Sequence, residues 1–390
     1  MSLFDEVVDR RESGSYKWDS DPGVLPMWVA DMDFRTAPVI EAALQRRVAH
    51  GVFGYTLVGE GYYDALTSWF SRRHGYDIDR RMVIYTSGVV PAVSAIIRAL
   101  AAPGEGVVVQ TPVYNCFFSS IRNNGCVIVD NPLRRVDIGD GMFSYEMDFD
   151  DLERKASRPD VRLLLLCNPH NPAGRAWRFD ELVRVAEICR RHGVRVVSDE
   201  IHCELTMPGV RYVPFGLVDR EVNAGGLQAV VCLSPSKAFN TAGLQIANIV
   251  CPDEEVRRLV DRAININEVC DVNPFGVEGL KAAYTSEGEA WLDELRGYIR
   301  DNYEFTRTYI ASRLPQFPIT MLEATYLPWM DVRSLGISSE ELEERLRKEA
   351  GVWVNCGEMY GQEGYLRLNI ACPRSVLAEG LRRLADWISA

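Results

Sequence analysis

Short apolar runs bounded by turn-forming residues recur through the middle of the chain. They occupy residues 83–86, 106–110, 126–129, 161–167, 194–198, 229–233 and 246–250. Runs of this length without strict alternation are typical of strands that are buried on both faces. Helical patterns, with apolar residues three and four apart, fall between several of them, notably at 91–101 and 179–192. This alternation predicts an α/β domain in which helices cover both faces of a mostly parallel seven-stranded sheet.

After Pro274 the pattern changes to longer, charged helical segments. They cover residues 291–312, 338–350 and 374–389, with strand-like pieces at 326–331 and 365–370. Ser338 and the acidic residues after it predict the start of one helix, and Gly351 predicts its end. We therefore expect a smaller α+β domain here. The predicted division is an N-terminal arm over residues 1–45 that packs with the small domain, a large domain over 46–285 and a small domain over 286–390.

Composition and charge narrow the classes of function. The 390 residues carry 43 Lys and Arg against 55 Asp and Glu, a formal net charge of −12, and 47% are hydrophobic. This balance is that of a globular protein, and without a run of basic residues it disfavours nucleic acid or an anionic membrane as the partner. Charged residues fall within the first ten positions, which disfavours a signal peptide, and no apolar run approaches the ~20 residues of a membrane span. Ten cysteines without a C-x-x-C pair favour reduced thiols, a cytoplasmic location and no metal site.

The strongest chemical signal is Lys237, within S-P-S-K-A-F just after a predicted buried strand. A lysine amine attacks carbonyl groups only when burial or a neighbouring cation destabilises its ammonium form. Pyridoxal phosphate chemistry uses such a lysine. Taken alone, this position is better explained by a solvated loop lysine, so the interpretation depends on the motifs around it.

Asp199 and His202 lie in V-V-S-D-E-I-H, at the carboxyl end of another predicted strand. This edge of an open α/β sheet is where ligands bind. A carboxylate here can keep a pyridine nitrogen protonated, which lets the ring withdraw electrons from a carbanion at the substrate Cα. His202 could donate to the phenolic oxygen of the cofactor. The alternative is a helix-capping aspartate and a surface histidine.

Two further turns follow predicted strands. The turn C-N-P-H-N-P-A-G presents Asn171, whose neutral amide suits a phenolic oxygen. In S-G-V-V-P, Gly88, Val89 and Val90 begin a helix, so their backbone N–H groups can bind a phosphate. An ordinary strand-to-helix turn would look the same.

An aromatic residue and an arginine complete the candidate site. Tyr114, after T-P-V, could stack on a planar cofactor, although a core or surface tyrosine is the alternative. Arg367 is the one cation of Y-L-R-L-N-I, and its guanidinium matches a carboxylate in bidentate fashion. A solvent-facing arginine is the alternative for this position.

In this order, the segments closely resemble the aspartate-aminotransferase superfamily of pyridoxal-phosphate enzymes (fold type I, class I/II aminotransferases) over nearly the whole chain. The resemblance implies pyridoxal 5'-phosphate as the cofactor. It also implies that Lys237 forms the Schiff base, that Asn171 contacts the O3′ oxygen and that Asp199 pairs with the pyridinium. P-M-W-V-A-D-M-D-F at 26–34, G-V-F-G-Y at 51–55 and R-L-N-I-A-C-P-R at 367–374 are similar to the cystathionine β-lyase branch of the MalY/PatB type.

Two positions depart from the wider superfamily. His202 replaces a tyrosine, as in the lyase branch, and Gln245 stands where many members carry a phosphate-binding arginine. We therefore expect the phosphate to depend on the amides of residues 88–90 and on Ser234, Ser236 and Tyr55. The resemblance implies that Tyr55 reaches over from a second subunit, which makes a homodimer the functional unit.

The resemblance implies β-elimination from cystathionine or a related cysteine S-conjugate, which yields a thiol, pyruvate and ammonia. In that reaction Arg367 holds the α-carboxylate and Lys237 removes the Cα proton. An aminotransferase with the same cofactor site remains an alternative, because every cofactor motif serves both outcomes. A regulatory protein that binds a transcription factor is a further alternative, but the sequence shows no recognisable docking segment for one.

Overall fold

The computed structural model describes residues 2–223, 228–266 and 271–389. The helices are α1 (Pro38–His50), α2 (Glu60–His74), α3 (Val89–Leu100), α4 (Asn115–Asn123), α5 (Phe149–Ala156), α6 (Phe179–His192), α7 (Phe215–Val222), α8 (Glu254–Asn265), α9 (Pro274–Ala283), α10 (Ser286–Arg313), α11 (Ser339–Arg345) and α12 (Arg374–Ile388). The strands are β1 (Leu25–Pro26), β2 (Val83–Thr86), β3 (Gly106–Val109), β4 (Val127–Asp130), β5 (Arg134–Gly139), β6 (Met142–Glu146), β7 (Val161–Cys167), β8 (Arg195–Asp199), β9 (Val230–Leu233), β10 (Ala247–Val250), β11 (Ile319–Thr320), β12 (Trp329–Asp331), β13 (Val352–Trp353), β14 (Asn355–Cys356) and β15 (Tyr365–Arg367).

A seven-stranded sheet runs through the centre in the order β2-β10-β9-β8-β7-β3-β4. Its members are the seven strands that the apolar runs predict, so the predicted α/β fold is confirmed. β10 alone is antiparallel to its neighbours β9 and β2. The chain between Leu233 and Ala247 forms only a short helical turn, and a parallel return would need a longer crossover.

The strand β7 shows how the sheet is buried. Leu164 and Leu166 pack into the apolar cluster on one face, and Leu163 and Leu165 pack into the cluster on the other face. Side chains of a strand alternate between faces, so a strand covered on both sides must be apolar at every such position. Burial of each of these side chains contributes about 1.5–3 kcal/mol, which explains the continuous apolar run.

A second, six-stranded sheet has the order β14-β15-β12-β11-β6-β5. The hairpin β5–β6 enters it through parallel pairing of β6 with β11. The apolar pattern did not predict this hairpin, because β5 is largely exposed and reads as a polar segment. The hairpin lies within the range predicted for the large domain and yet extends the second sheet, and the division into domains stays a prediction.

The C-terminal elements follow the predicted ones with local differences. Ser338 caps α11 by accepting a hydrogen bond from the Glu341 amide, and the helix then continues as a five-residue π turn to Gly351 in left-handed conformation. The strand-like pieces are shorter than predicted, because β12 and β15 contain three residues each. Residues 368–370 instead bond singly to neighbouring carbonyls, among them that of Met27.

The N-terminal residues cross other elements. β1 pairs in parallel with β13, and the following segment runs on towards the central sheet. Lys17 is buried there against Asp33, with 2.8 Å between Nζ and Oδ2, and Arg10 binds the same carboxylate. None of the described helices is both long and apolar enough to cross a membrane.

Candidate active site

A cleft opens at the carboxyl ends of the central strands, where ligands bind in open α/β sheets. Loops that follow β2, β7, β8 and β9 meet there because parallel strands end at the same edge. Its lining residues are Ala30, Ser87, Gly88, Val89, Val90, Pro91, Tyr114, Cys167, Asn171, Asp199, Ile201, His202, Ser236, Lys237, Ala242, Gln245 and Ile246. The motifs that the sequence singles out on separate strands therefore lie in one place.

Lys237 projects into this cleft from the loop after β9. Its Nζ donates to the Ala30 carbonyl at 2.6 Å. Burial of the amine and the nearby Arg367 guanidinium lower the pKa of Lys237 to about 8, because both disfavour a second positive charge. More of the amine is therefore neutral near physiological pH than in an exposed lysine, which favours its use as a nucleophile or base.

Asp199 ends β8 and lies at the floor of the cleft. Burial raises the pKa of its carboxyl to about 6, although the Ile201 amide donates to Oδ1 at 3.1 Å. A buried carboxylate with so little compensation needs a cationic partner. A protonated ring nitrogen would supply that partner.

His202 is buried beside Asp199 and keeps an unpartnered Nδ1 among the described residues. Burial, together with Lys237 and Arg367, lowers the pKa of the imidazole to about 3, so the ring is neutral. A neutral imidazole can carry its proton on either nitrogen. His202 can therefore donate one hydrogen bond to a ligand without adding charge.

Arg367, at the end of β15, is hydrogen-bonded to Asn171, in the turn after β7. Arg367 Nη1 donates to Asn171 Oδ1 at 3.2 Å, and Nη2 donates to the Trp28 carbonyl at 2.9 Å. The guanidinium is buried over the Tyr360 ring, and its Nε makes no hydrogen bond within the described residues. A buried guanidinium with an unused N–H is suited to an anionic ligand.

The N-terminus of α3 borders the other end of the cleft. Its cap, Gly88, provides no side-chain hydrogen bond, so the amides of Val89 and Val90 are available to a ligand. A Cβ at position 88 would lie only 3.3 Å from Pro91 Cδ, and glycine avoids this close contact. Free amides and the helix dipole together favour a phosphate group.

Three predicted phosphate ligands differ in placement. Ser236 lines the cleft, but Ser234 does not; its Oγ donates to the Ile246 carbonyl at 2.6 Å. Tyr55 lies in the loop between α1 and α2, with 94% of its surface exposed, outside the cleft of its own chain. Tyr114 lines the cleft, and burial raises the pKa of its hydroxyl well above the usual range. The roles of these residues stay predictions.

Some lining residues were not proposed from the sequence. Ala30 enters through its carbonyl, for which the sequence carries no signal beyond the block P-M-W-V-A-D-M-D-F. Gln245 was noted for replacing an arginine, and it borders the cleft with a left-handed backbone, φ +51°. Cys167 and Ile201 line the cleft because they neighbour the end of β7 and of β8.

The residues present fit pyridoxal phosphate. The cleft holds a lysine of lowered pKa, a buried acid of raised pKa, a neutral histidine whose Nδ1 has no partner among the described residues, and a helix start without a side-chain cap. Each of these would suit a different part of that cofactor: the aldehyde, the ring nitrogen, the phenolic oxygen and the phosphate.

Comparison with known proteins gives a consistent result. Residues 27–384 match the model of the family described as aminotransferase class I and II. The chain is 40% identical to "Cystathionine beta-lyase PatB" of Bacillus subtilis (strain 168), over 99% of this chain and 100% of that protein. It is 35% identical to "Protein MalY" of Escherichia coli (strain K12), over the full length of both.

Solved structures of other proteins also superimpose on this chain over nearly its full length. A PLP-bound protein of Clostridium difficile 630 superimposes with a TM-score of 0.94 and 37% identity, covering 99% of both chains. A PLP-bound C-S lyase of Staphylococcus hominis superimposes with a TM-score of 0.89 and 31% identity, covering 98% of this chain and 97% of that chain. The predicted family is confirmed by these full-length matches: the chain belongs to the aminotransferase class I and II family.

Proposed function

We propose that the protein is a pyridoxal-phosphate-dependent carbon–sulfur β-lyase that acts on cystathionine or a related cysteine S-conjugate. The observation that carries this proposal is the full-length similarity, at 40% identity, to a relative named cystathionine β-lyase. The convergence of Lys237, Asp199 and Asn171 on one cleft, with Arg367 hydrogen-bonded to Asn171, supports it. When bound, the cofactor supplies an electron sink for the negative charge that develops at the substrate Cα.

Arg367 binds the α-carboxylate of the substrate in this proposal. Its Nε–H and the second N–H of one terminal nitrogen are free to form a bidentate contact, while its other bonds to Asn171 and the Trp28 carbonyl fix the guanidinium plane. A guanidinium held in this way loses little freedom when the carboxylate arrives, so more of the contact energy appears as affinity.

Lys237 takes the proton from Cα. Its lowered pKa supplies the neutral amine that this step needs, and the resulting ammonium remains hydrogen-bonded to the Ala30 carbonyl. Loss of the proton leaves an electron pair that expels the thiolate as the Cβ–S bond breaks. Hydrolysis of the released aminoacrylate gives pyruvate and ammonia. Asp199 supports the step because its carboxylate keeps the ring nitrogen protonated.

An assay without a keto-acid acceptor separates this function from transamination. Incubation of the purified protein and pyridoxal phosphate with L-cystathionine should release pyruvate and homocysteine in equal amounts. A lyase needs no acceptor, so added 2-oxoglutarate should not raise the rate. Turnover that depends strictly on the acceptor would make the protein an aminotransferase instead.

We further propose that the functional unit is a homodimer in the cytoplasm. The loop between α1 and α2 exposes Val52, Phe53, Tyr55 and Leu57 on one continuous stretch, and exposed apolar stretches of this kind mark interfaces. A second copy of the chain is the occupant that places Tyr55 near a phosphate site, as the resemblance implies. The free cysteines among the described residues agree with a reducing compartment.

A further inference from the structure

The segment from Trp28 to Phe34 is held by side chains from distant parts of the chain. Asn369 Nδ2 donates to the carbonyls of Val29 at 2.5 Å and Asp31 at 2.6 Å. Asn240 Nδ2 donates to the carbonyls of Met32 at 3.0 Å and Phe34 at 2.9 Å. Side chains thus fix the backbone on both sides of Ala30, so the direction of the Ala30 carbonyl is set by the surrounding structure.

The Ala30 carbonyl accepts two side-chain hydrogen bonds. One comes from Lys237 Nζ at 2.6 Å and the other from the Tyr326 hydroxyl at 2.9 Å. A carbonyl oxygen has two lone pairs, so both donors can bind at once. The two donors compete for the electron density of one oxygen, so each weakens the hydrogen bond of the other.

Tyr326 is placed by a strained residue. Thr325 is fully buried and adopts φ +73°, a left-handed conformation that is unfavourable for a β-branched side chain. Such conformations persist only where the surrounding structure imposes them, and they cluster at functional sites. Here the Thr325 amide bonds to the Leu205 carbonyl at 2.8 Å, and the turn directs the fully buried Tyr326 to Ala30.

The charged and titratable groups that face Lys237 come from several elements. They are Arg367 of β15, Asp31 of the N-terminal segment, Asp199 of β8, His202 after β8 and Cys116 of α4. None of these groups donates a hydrogen bond to the Ala30 carbonyl. The hydroxyl of Tyr326 is therefore a distinct influence on the lysine, because it acts through the shared acceptor.

We propose that the Ala30 carbonyl accepts a hydrogen bond from the ε-amino group of Lys237 whenever that amine is free. We also propose that Tyr326 is a positioning residue that weakens this hydrogen bond. A carbonyl that accepts from an ammonium stabilises the charged form of the lysine. The second donor weakens the acceptor and so keeps more of the lysine neutral. The catalytic meaning of this arrangement rests on the proposed function, but the effect on the lysine does not.

The test measures the reactivity of Lys237 itself. The cofactor-free full chain is trace-labelled with acetic anhydride between pH 6 and 10, and labelling of the Lys237 peptide is quantified by mass spectrometry. Tyr326→Phe removes only the hydroxyl, so the Ala30 carbonyl binds the ammonium more strongly. We expect Lys237 in this variant to be labelled about three-fold more slowly at pH 7 than in the parent.

Tyr303→Phe is the matched control, because the buried Tyr303 hydroxyl also donates to a backbone carbonyl, that of Thr320, away from Lys237. Its labelling rate should equal that of the parent. Incorporation of 3-fluorotyrosine at position 326 makes the hydroxyl a stronger donor, retains the hydrogen bond and should accelerate labelling.

Equal rates in Tyr326→Phe and the parent, or an equal change in Tyr303→Phe, would overturn the proposal. So would a slower rate with 3-fluorotyrosine. The labelling requires no turnover, so a protein that released no pyruvate from cystathionine would contradict the proposed function and leave this result readable.

Discussion

Arg367 Nη1 donates to Asn171 Oδ1 over 3.2 Å, and this bond joins the residue predicted for the substrate carboxylate to the residue predicted for the cofactor. Because Oδ1 is turned to the arginine, the Nδ2 group of Asn171 is left to donate into the cleft. The two residues come from different sheets. A substitution at either residue is therefore expected to affect the binding of both the substrate and the cofactor.

Lys237→Ala should lose at least about 10³-fold in turnover, because no other group in the cleft can both bond to the cofactor aldehyde and take the Cα proton. Borohydride reduction of the parent, followed by peptide mapping, should place the phosphopyridoxyl group on Lys237. Lys281→Ala is the control, since Lys281 pairs with Glu278 on the surface. Label on another lysine would show that the assignment is wrong.

Asp199→Ala should reduce the rate of Cα–H cleavage by orders of magnitude, since the ring nitrogen would lose its counter-charge. Asp199→Glu should retain part of the activity because it keeps the carboxylate. The measurement is the single-turnover rate of hydrogen exchange at Cα. Near-parental exchange in the alanine variant would remove Asp199 from the mechanism.

The same residue predicts a pH dependence of stability in the cofactor-free protein. The pKa of the Asp199 carboxyl is raised from 3.8 to about 6 in the folded state, so the folded protein holds this proton more tightly than the unfolded chain. The free energy of unfolding must then fall as the pH rises from 3.8 to about 6, by about 3 kcal/mol for this group. The asparagine side chain of Asp199→Asn cannot ionise, so this variant should not lose stability in this way.

Urea unfolding of both proteins at pH 4 and pH 7 measures this difference. Contributions of other groups cancel in the comparison, so the asparagine variant should become more stable relative to the parent as the pH rises. A constant difference between the two proteins across this range would mean that the Asp199 pKa is not raised in the folded state.

Arg367→Lys should lower kcat/KM by about 10- to 150-fold, because a charged bidentate contact is worth roughly 1.5–3 kcal/mol and lysine offers a single point charge. The cofactor should remain bound. Its absorbance is compared directly with that of Asn171→Ala, which breaks the same hydrogen bond from the other side. A substrate amide that lacks the carboxylate should be processed equally poorly by parent and variant. Good turnover of the amide by the parent would exclude this role for Arg367.

Hybrid dimers test the placement of Tyr55. Tyr55→Ala and Lys237→Ala should each be nearly inactive, but a hybrid of the two contains one intact site if Tyr55 serves the partner subunit. Random mixing of equal amounts makes half of the dimers hybrids, so activity should recover to about a quarter of the parental value. Absence of recovery, with hybrid formation verified by native mass spectrometry, would place Tyr55 outside the partner's site.

The sequence was sufficient for the central sheet and for most of the cleft. The seven apolar runs became its seven strands, because a strand buried on both faces must be apolar throughout. The direction of β10 was not predictable, since an apolar run looks alike in either direction. The hairpin β5–β6 was missed because its exposed face carries polar residues.

The contact between Lys237 and Ala30 was beyond the reach of the sequence for a different reason. A backbone carbonyl has no side-chain identity, and the contact joins residues 207 positions apart. The bond from Tyr326 to the same carbonyl spans 296 positions. Lys237 could be inferred from a motif, whereas Tyr326 and the acceptor that it shares with Lys237 could be found only in three dimensions.

The hydrogen bonds from Asn369 to the carbonyls of Val29 and Asp31 have a consequence for biosynthesis. The N-terminal segment leaves the ribosome first, but the side chain that fixes it is among the last to be made. The acceptor for Lys237 therefore takes its place only when the chain is nearly complete. A chain that ends before Asn369 can contain every cofactor motif and still lack the side chain that supports the Ala30 segment.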